Sequence, residues 1–280
     1  MVLRPLRHSL RPLPALHDDW LERITAAVSD PALDRPRFCR EILCELAYPV
    51  YAVNYETAVV DAKIPLGTRL ALSALDPRHI TLEPEYYADC DDEKFQRVKP
   101  LLWLWYSFDR LPAGGQNVEL GVRFRRILAP HIFRKVGERF KAFQHVEFSY
   151  GYNIECGDDV VVHRHVLLDD RGGIKIGNKV SISDYANIYS HTHSIVDQKD
   201  VTNATTVLED GVRITYHATV FAGVKVGFDA MVGAMAVATK DVRPHHVNVG
   251  IPAKSVRVKP NAPHDTPDRL HTSHERGEKS

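Results

Sequence analysis

The sequence predicts a mainly β fold: a parallel β-helix of six-residue repeats, preceded by a helical and mixed N-terminal region. Two observations carry this. From about residue 148, apolar residues recur at every sixth position: Tyr150, Cys156, Val162 and Leu168, then Ile176, Ile182 and Ile188, then Leu208, Ile214, Val220, Val226, Val232 and Ala238. A helix repeats about every 3.6 residues and a strand every two, so a repeat of six belongs to a solenoid whose hexads each supply one short strand and one corner. The second observation is glycine placed directly after several of these positions, as in Cys156-Gly157, Ile176-Gly177, Val226-Gly227 and Val232-Gly233. One aliphatic side chain per hexad is expected to point into a prism, with Gly, Asn and Asp taking the corner conformations of positive φ.

The elements before the repeat read differently. Residues 18–60 are expected to be helical: Asp18-Asp19 is placed to cap WLERITAAV, and Phe38 to Val53 spaces Ile42, Leu43, Leu46 and Ala47 at helical intervals. Residues 61–120 are mixed, with Pro65, Pro77, Pro84, Pro100 and Pro112 expected to break any long element. Residues 121–143 read as a basic amphipathic helix interrupted near Pro130. Its arginines suit a solvated face or, as a second reading, peripheral contact with a membrane or an acidic substrate. The expected organisation is an N-terminal region at 1–131 with no assigned role, the β-helix at 132–259, and a disordered tail at 260–280. That tail has almost no aliphatic residues.

Composition bounds the function classes. The chain has 280 residues, 44% apolar and 26% charged, with Lys+Arg and Asp+Glu equal at 36 each. This is the make-up of an ordinary globular protein, and zero net charge gives no support for a nucleic-acid partner. Cys39, Cys44, Cys90 and Cys156 form no CxxC pair and are too sparse for a disulfide scaffold. The N-terminus lacks the apolar segment of a signal peptide, and no apolar run approaches the roughly 20 residues of a membrane span. The expected location is cytoplasmic.

The repeat slips phase twice. DDRGG puts two extra residues between Leu168 and Ile176, and Ile188 to Leu208 spans twenty residues where three hexads need eighteen. The second excursion begins at SHTHS, with His191 and His193 one residue apart. Loops carried on a rigid scaffold are where chemistry concentrates.

Four motifs then carry a resemblance. FSYGYNIECG (148–157), IYSHTHS (188–194), VGAMAVATKDV (232–242) and GIPAK (250–254) together resemble the maltose/galactoside O-acetyltransferase family of hexapeptide-repeat acyltransferases, over roughly residues 132–259. The first 120 residues do not resemble the short N-terminal segment of those enzymes. The resemblance implies a left-handed coil, against the usual hand of parallel crossovers. It also implies a homotrimer, with acyl-CoA in the groove between neighbouring subunits.

Acetyl transfer from a thioester to a hydroxyl needs a base for the alcohol proton and a donor near the oxyanion. Imidazole suits the first task. In the register of the family motif the base is His193, while His191 falls where the family varies. The resemblance carries over Ser149 as a binder of a carbohydrate hydroxyl, and Asp170, at the DDRGG excursion, is placed to accept from a sugar hydroxyl. It places His163 where the family has asparagine, and both side chains donate and accept. For acetyl-CoA it assigns Tyr216 and Ala234 to the pantetheine arm and Thr239, Lys240, Lys254 and Arg257 to the phosphates. The expected activity is therefore acetyl-CoA-dependent O-acetylation of a sugar or sugar-derived small molecule, with no metal. One alternative is a zinc enzyme like the γ-class carbonic anhydrases, using His163, His165, His191 and His193. That ligand set wants a further histidine five residues after His191 or His193, where Val196 and Gln198 stand. The other is a non-catalytic scaffold.

Overall fold

The computed structural model describes residues 14–197 and 199–268, and the chain divides into two units, Met1–Ile132 and Phe133–Ser280.

The first unit is helical: α1 (Pro14–Val28), α2 (Arg35–Ala47), α3 (Tyr55–Val60), α4 (Leu66–Ser73), α5 (Asp92–Phe108) and α6 (Val118–Ile132). Asp34 caps α2 by accepting from the Arg37 amide, and Asp91 caps α5 by accepting from the Lys94 amide. Asp18 and Asp19 lie inside α1, which begins at Pro14, so they are not its cap. The expected breaks at two prolines are also corrected. α5 runs through Pro100 and α6 through Pro130. Each proline removes one backbone donor, but the apolar faces outweigh that loss: Phe95, Leu101, Leu104, Trp105 and Phe108 of α5 and Phe124 and Leu128 of α6 are all fully buried. Phe108 and Phe124 lie 4.2 Å apart between ring centroids. Arg125, expected on a solvated face, is buried and paired with buried Asp109. Among the described residues no helix is long and apolar enough to cross a membrane.

The second unit is the coil the hexads predict, and it begins one turn earlier than they were legible. Three parallel faces wind around a common axis. Face I holds Lys135–Val136, Ile154–Cys156, Ile174–Ile176, Thr206–Leu208 and Lys225–Val226. Face II holds Lys141–Ala142, Val161–Val162, Ser181–Ile182, Arg213–Ile214, Met231–Val232 and His246–Val249. Face III holds Glu147–Phe148, Leu167–Asp169, Asn187–Tyr189, Thr219–Val220 and Val237–Ala238. Each inward residue stacks on its counterpart one turn away, as Val162 on Ile182 and Ile182 on Ile214. All three are at 0% exposure, and each such burial stabilises by roughly 1.5–3 kcal/mol. Position by position, one register is corrected. The inward residue of the first face III strand is Phe148, paired with Leu168, and not Tyr150.

The two ends of the prism are closed differently. Phe133 sits edge-on against Phe140 and Phe148, at 5.8 and 5.0 Å between centroids. At the other end the chain turns back after His246–Val249, and Lys254–Val258 pairs with that strand antiparallel. Part of the segment expected to be a tail packs on the coil. Ala262 is buried, Asn261 donates to Asp229, and Asp268 pairs with Arg243. Residues 269–280 fall outside the described residues.

Candidate active site

The corner between faces III and I differs from the other two in the first three turns. Six residues separate inward positions elsewhere, as from Val162 to Leu168. Eight separate Phe148 from Cys156 and Leu168 from Ile176. The extra residues lie in the stretches Ser149–Asn153 and Asp169–Gly173, stacked one above the other. In the next turn the same corner opens into an antiparallel hairpin, His191–His193 against Val201–Asn203, with His191 opposite Asn203 and His193 opposite Val201. Both phase slips read from the sequence are therefore one edge of the prism, together with a third that the Tyr150 register concealed.

Polar contacts bind these stretches together. Asp170 is fully buried, taking the Tyr150 amide at 2.7 Å and the Asn153 amide at 3.1 Å. Asn153 returns its side-chain amide to the Asp170 carbonyl at 3.1 Å. Burial pushes the Asp170 carboxyl up to about 6, the amide donors opposing the shift. The expectation that Asp170 holds a sugar hydroxyl is corrected on this geometry: both oxygens are engaged inside the corner and none of the residue is exposed. Ser190 roots the hairpin. Its hydroxyl donates to the Asp169 carbonyl at 2.6 Å and accepts from the Gly172 amide at 2.8 Å, and its carbonyl accepts from the Ala204 amide at 2.8 Å. Gly172 is required here, since a Cβ would stand 2.1 Å from the Ser190 carbonyl oxygen and 2.5 Å from the Ala204 nitrogen.

The other aspartate of the pair faces the histidines. Asp169, at 3% exposure, accepts from the Ser149 hydroxyl through Oδ1 at 3.1 Å, and its Oδ2 lies against Nδ1 of His191. The His191 and His193 rings meet edge to face, 5.2 Å between centroids. The His193 side is exposed and that of His191 is mostly covered. One edge thus brings together Ser149, Asp169, Asp170, His191 and His193. Asp169 was missed by sequence reasoning, which took its neighbour; its role depends on which corner residue the next turn covers.

The remaining expected residues stand elsewhere. His163 is at the corner between faces II and III, stacked on Phe143 at 4.9 Å, where burial holds its imidazole below the usual histidine value. Tyr216 and Ala234 occupy that same corner in later turns, both exposed. Thr239 and Lys240 follow the last face III strand, and Lys254 and Arg257 lie on the returning strand, all exposed. Sequence reasoning also missed a column of rings on the II/III edge: His145 on His165, His165 on Tyr185 and Tyr185 on His217, at 4.8, 4.7 and 4.8 Å. Its signal was present, since residues 145, 165 and 185 are twenty apart. Among the described residues no group of His, Cys, Asp and Glu converges on a metal position. His163 and His165 sit on a different edge from His191 and His193, so the zinc set is not assembled within one chain.

No protein-family profile matches the chain. Similarity to individual proteins is clear. Galactoside O-acetyltransferase of Escherichia coli (strain K12) is 27% identical over 140 residues, which are 49% of this chain and 69% of the relative. A maltose O-acetyltransferase structure from Clostridium difficile 630 superposes with a TM-score of 0.54 at 24% identity, covering 62% of this chain and 91% of the other. A galactoside acetyltransferase solved in complex with coenzyme A gives a TM-score of 0.53 at 24% identity, covering 62% and 85%. A hexapeptide-repeat acetyltransferase from Vibrio cholerae O1 biovar eltor, complexed with acetyl coenzyme A, gives 0.53 at 21% identity, covering 65% and 98%. The second unit is a left-handed hexapeptide-repeat β-helix, and its relatives in sequence and in fold are acetyltransferases of the galactoside and maltose type.

Proposed function

We propose that this chain is an acetyl-CoA-dependent O-acetyltransferase acting on a carbohydrate hydroxyl, with His193 as general base. The observation that carries the reading is the III/I edge. There a hairpin rooted on buried backbone partners holds two imidazoles beside Ser149 and Asp169. In the reaction the acceptor oxygen attacks the thioester carbonyl carbon while His193 takes the hydroxyl proton. The C–S bond of the tetrahedral intermediate then breaks, and the proton passes from the imidazolium to the departing thiolate, giving acetyl ester and CoA thiol. No covalent enzyme intermediate is needed.

The acetyl-CoA assignment follows the resemblance of the sequence motifs: Tyr216 and Ala234 along the II/III edge for the pantetheine arm, and Thr239, Lys240, Lys254 and Arg257 for the phosphates. The two edges lie apart within one chain. A homotrimer in which the III/I edge of one subunit meets the II/III edge of the next supplies a groove with both, and His163 then reaches the acceptor from the neighbouring copy. A heterologous contact that closes in three has this form.

The test is CoA release from acetyl-CoA over a panel of sugars. His193→Ala is expected to lower kcat roughly 10²–10⁴-fold with little change in the KM for acetyl-CoA, because a base acts in the transition state. Lys240→Ala with Lys254→Ala is expected to raise the KM for acetyl-CoA and leave that for the sugar, since charge-assisted contacts to phosphate are lost. Equal rises for both substrates refute the phosphate assignment.

A further inference from the structure

We propose that His191 is a second acceptor-binding imidazole, fixed by Asp169 so that its Nε2 accepts a hydrogen bond from a hydroxyl adjacent to the one acetylated. This rests on the O-acetyltransferase reading with His193 as base. It narrows the acceptor to a molecule with neighbouring hydroxyls, such as a pyranoside diol.

The argument begins with two atoms. Nδ1 of His191 and Oδ2 of Asp169 are buried, and among the described residues neither makes a hydrogen bond of ordinary geometry. They lie against each other. Buried polar atoms are paired, and a carboxylate only accepts, so the proton between them belongs to Nδ1. A neutral ring with its proton on Nδ1 carries its lone pair on Nε2.

The carboxylate that sets this tautomer is itself held. Its Oδ1 takes the Ser149 hydroxyl at 3.1 Å and the Arg171 amide at 3.4 Å, and the carbonyl of the same residue takes the Ser190 hydroxyl at 2.6 Å. Both ends of His191 are therefore constrained, one by Asp169 and the other by the hairpin register opposite Asn203. Anchoring the hairpin does not need this pair. Ser190 and Thr205 already bind its root to Gly172 and Asp169, the Thr205 hydroxyl donating to the Gly172 carbonyl at 2.9 Å. Burying a carboxylate against a histidine is costly relative to apolar packing, so its use here points to the ring.

His191 and His193 share strand parity and their centroids are 5.2 Å apart. Removing one proton takes one imidazole. A second ring beside it, presenting only an acceptor atom, suits a hydroxyl that is bound and not consumed. In this arrangement His193 acts on the reacting oxygen, His191 selects its neighbour, and Asp169 is the positioning residue.

The experiment compares a methyl pyranoside with its monodeoxy analogues, following CoA release. For the parent sugar, His191→Ala is expected to raise the KM about tenfold, the worth of one hydrogen bond, with kcat and the KM for acetyl-CoA nearly unchanged. For the deoxy analogue lacking the adjacent hydroxyl, wild type already shows the raised KM and His191→Ala adds nothing, the non-additivity expected of two halves of one contact. Asp169→Asn is expected to reproduce the KM rise, because an amide donor at Nδ1 turns Nε2 into N–H. Effects of His191→Ala that are equal on every analogue overturn the proposal, as does a loss of kcat with KM unchanged. CoA release that His191→Ala leaves untouched overturns the proposal alone. No release by wild type with any pyranoside overturns the acetyltransferase reading and the proposal with it.

Discussion

Two edges of the same prism are built on opposite plans. At the I/II corner the first three turns are alike. Asp158 accepts from the Glu138 amide at 2.7 Å, Asn178 from the Asp158 amide at 2.8 Å, and Asp210 from the Asn178 amide at 2.8 Å. The glycines before them, Gly137, Gly157 and Gly177, are needed because a Cβ would stand 2.4, 2.5 and 2.3 Å from these side-chain oxygens. Positive φ belongs instead to the residue two places on, as Arg139, Asp159 and Lys179. The sequence expectation that glycine supplies the positive φ is corrected for these three: glycine provides clearance. At the III/I corner the turns differ in length, eight residues in the first two, twenty in the third and six in the fourth, and the side chains that meet are Ser149, Asp169, His191 and His193. The uniform edge spaces the coils, and that fixed spacing lets the irregular edge hold groups at hydrogen-bonding distance.

Substitutions break this contrast in graded ways. The largest effect is expected from Gly172→Ala, which forces a Cβ into the root of the hairpin: a loss of about 3–5 kcal/mol in urea unfolding, together with loss of CoA release. A variant of full stability would show that the root yields easily and that the edge is not rigid.

Next is Asp170. Its carboxyl sits at about 6 in the fold against 3.8 as the reference, so the folded state holds a proton that the unfolded chain has lost between those values. Stability from this group is full below pH 4 and declines as pH rises through about 6. Relative to Asp170→Asn, wild type is expected to lose about 3 kcal/mol across that window. A flat difference between pH 4 and pH 6.5 in paired unfolding curves counts against a carboxyl whose burial outweighs its amide donors.

The smallest effect belongs to the uniform edge. Asn178→Ala removes one rung that also donates to Asp210 at 3.0 Å, and should cost about 1–2 kcal/mol while leaving kcat alone. A kcat loss greater than the stability loss would mean that the two edges are coupled.

Much of this was legible because the hexad period is a direct image of the stacking. Val162, Ile182 and Ile214 repeat in the chain because they touch in space. The first turn was less legible. Tyr150 lies six before Cys156 and is buried for another reason, stacked on Tyr152 at 5.0 Å, so it imitated an inward position and hid the extra residues at 149–153. The helical unit was harder, since α5 passes through Pro100 on the strength of tertiary burial that no local rule records. The histidine pair was visible as a motif. Its partner was not, because Asp169 and Asp170 are equivalent in sequence and only the next turn decides which meets the imidazole and which closes the corner.

The strand that returns at Lys254–Val258 has a consequence for association. A parallel coil ends in a row of unpaired backbone groups, and another coil end of the same spacing could continue it indefinitely. Here the last row is covered by a strand running the other way, with exposed Lys254 and Arg257 along it and Pro260 just beyond. Reversed direction, charge and proline each deter a further parallel strand. Stacking of a further coil on this end is thereby disfavoured.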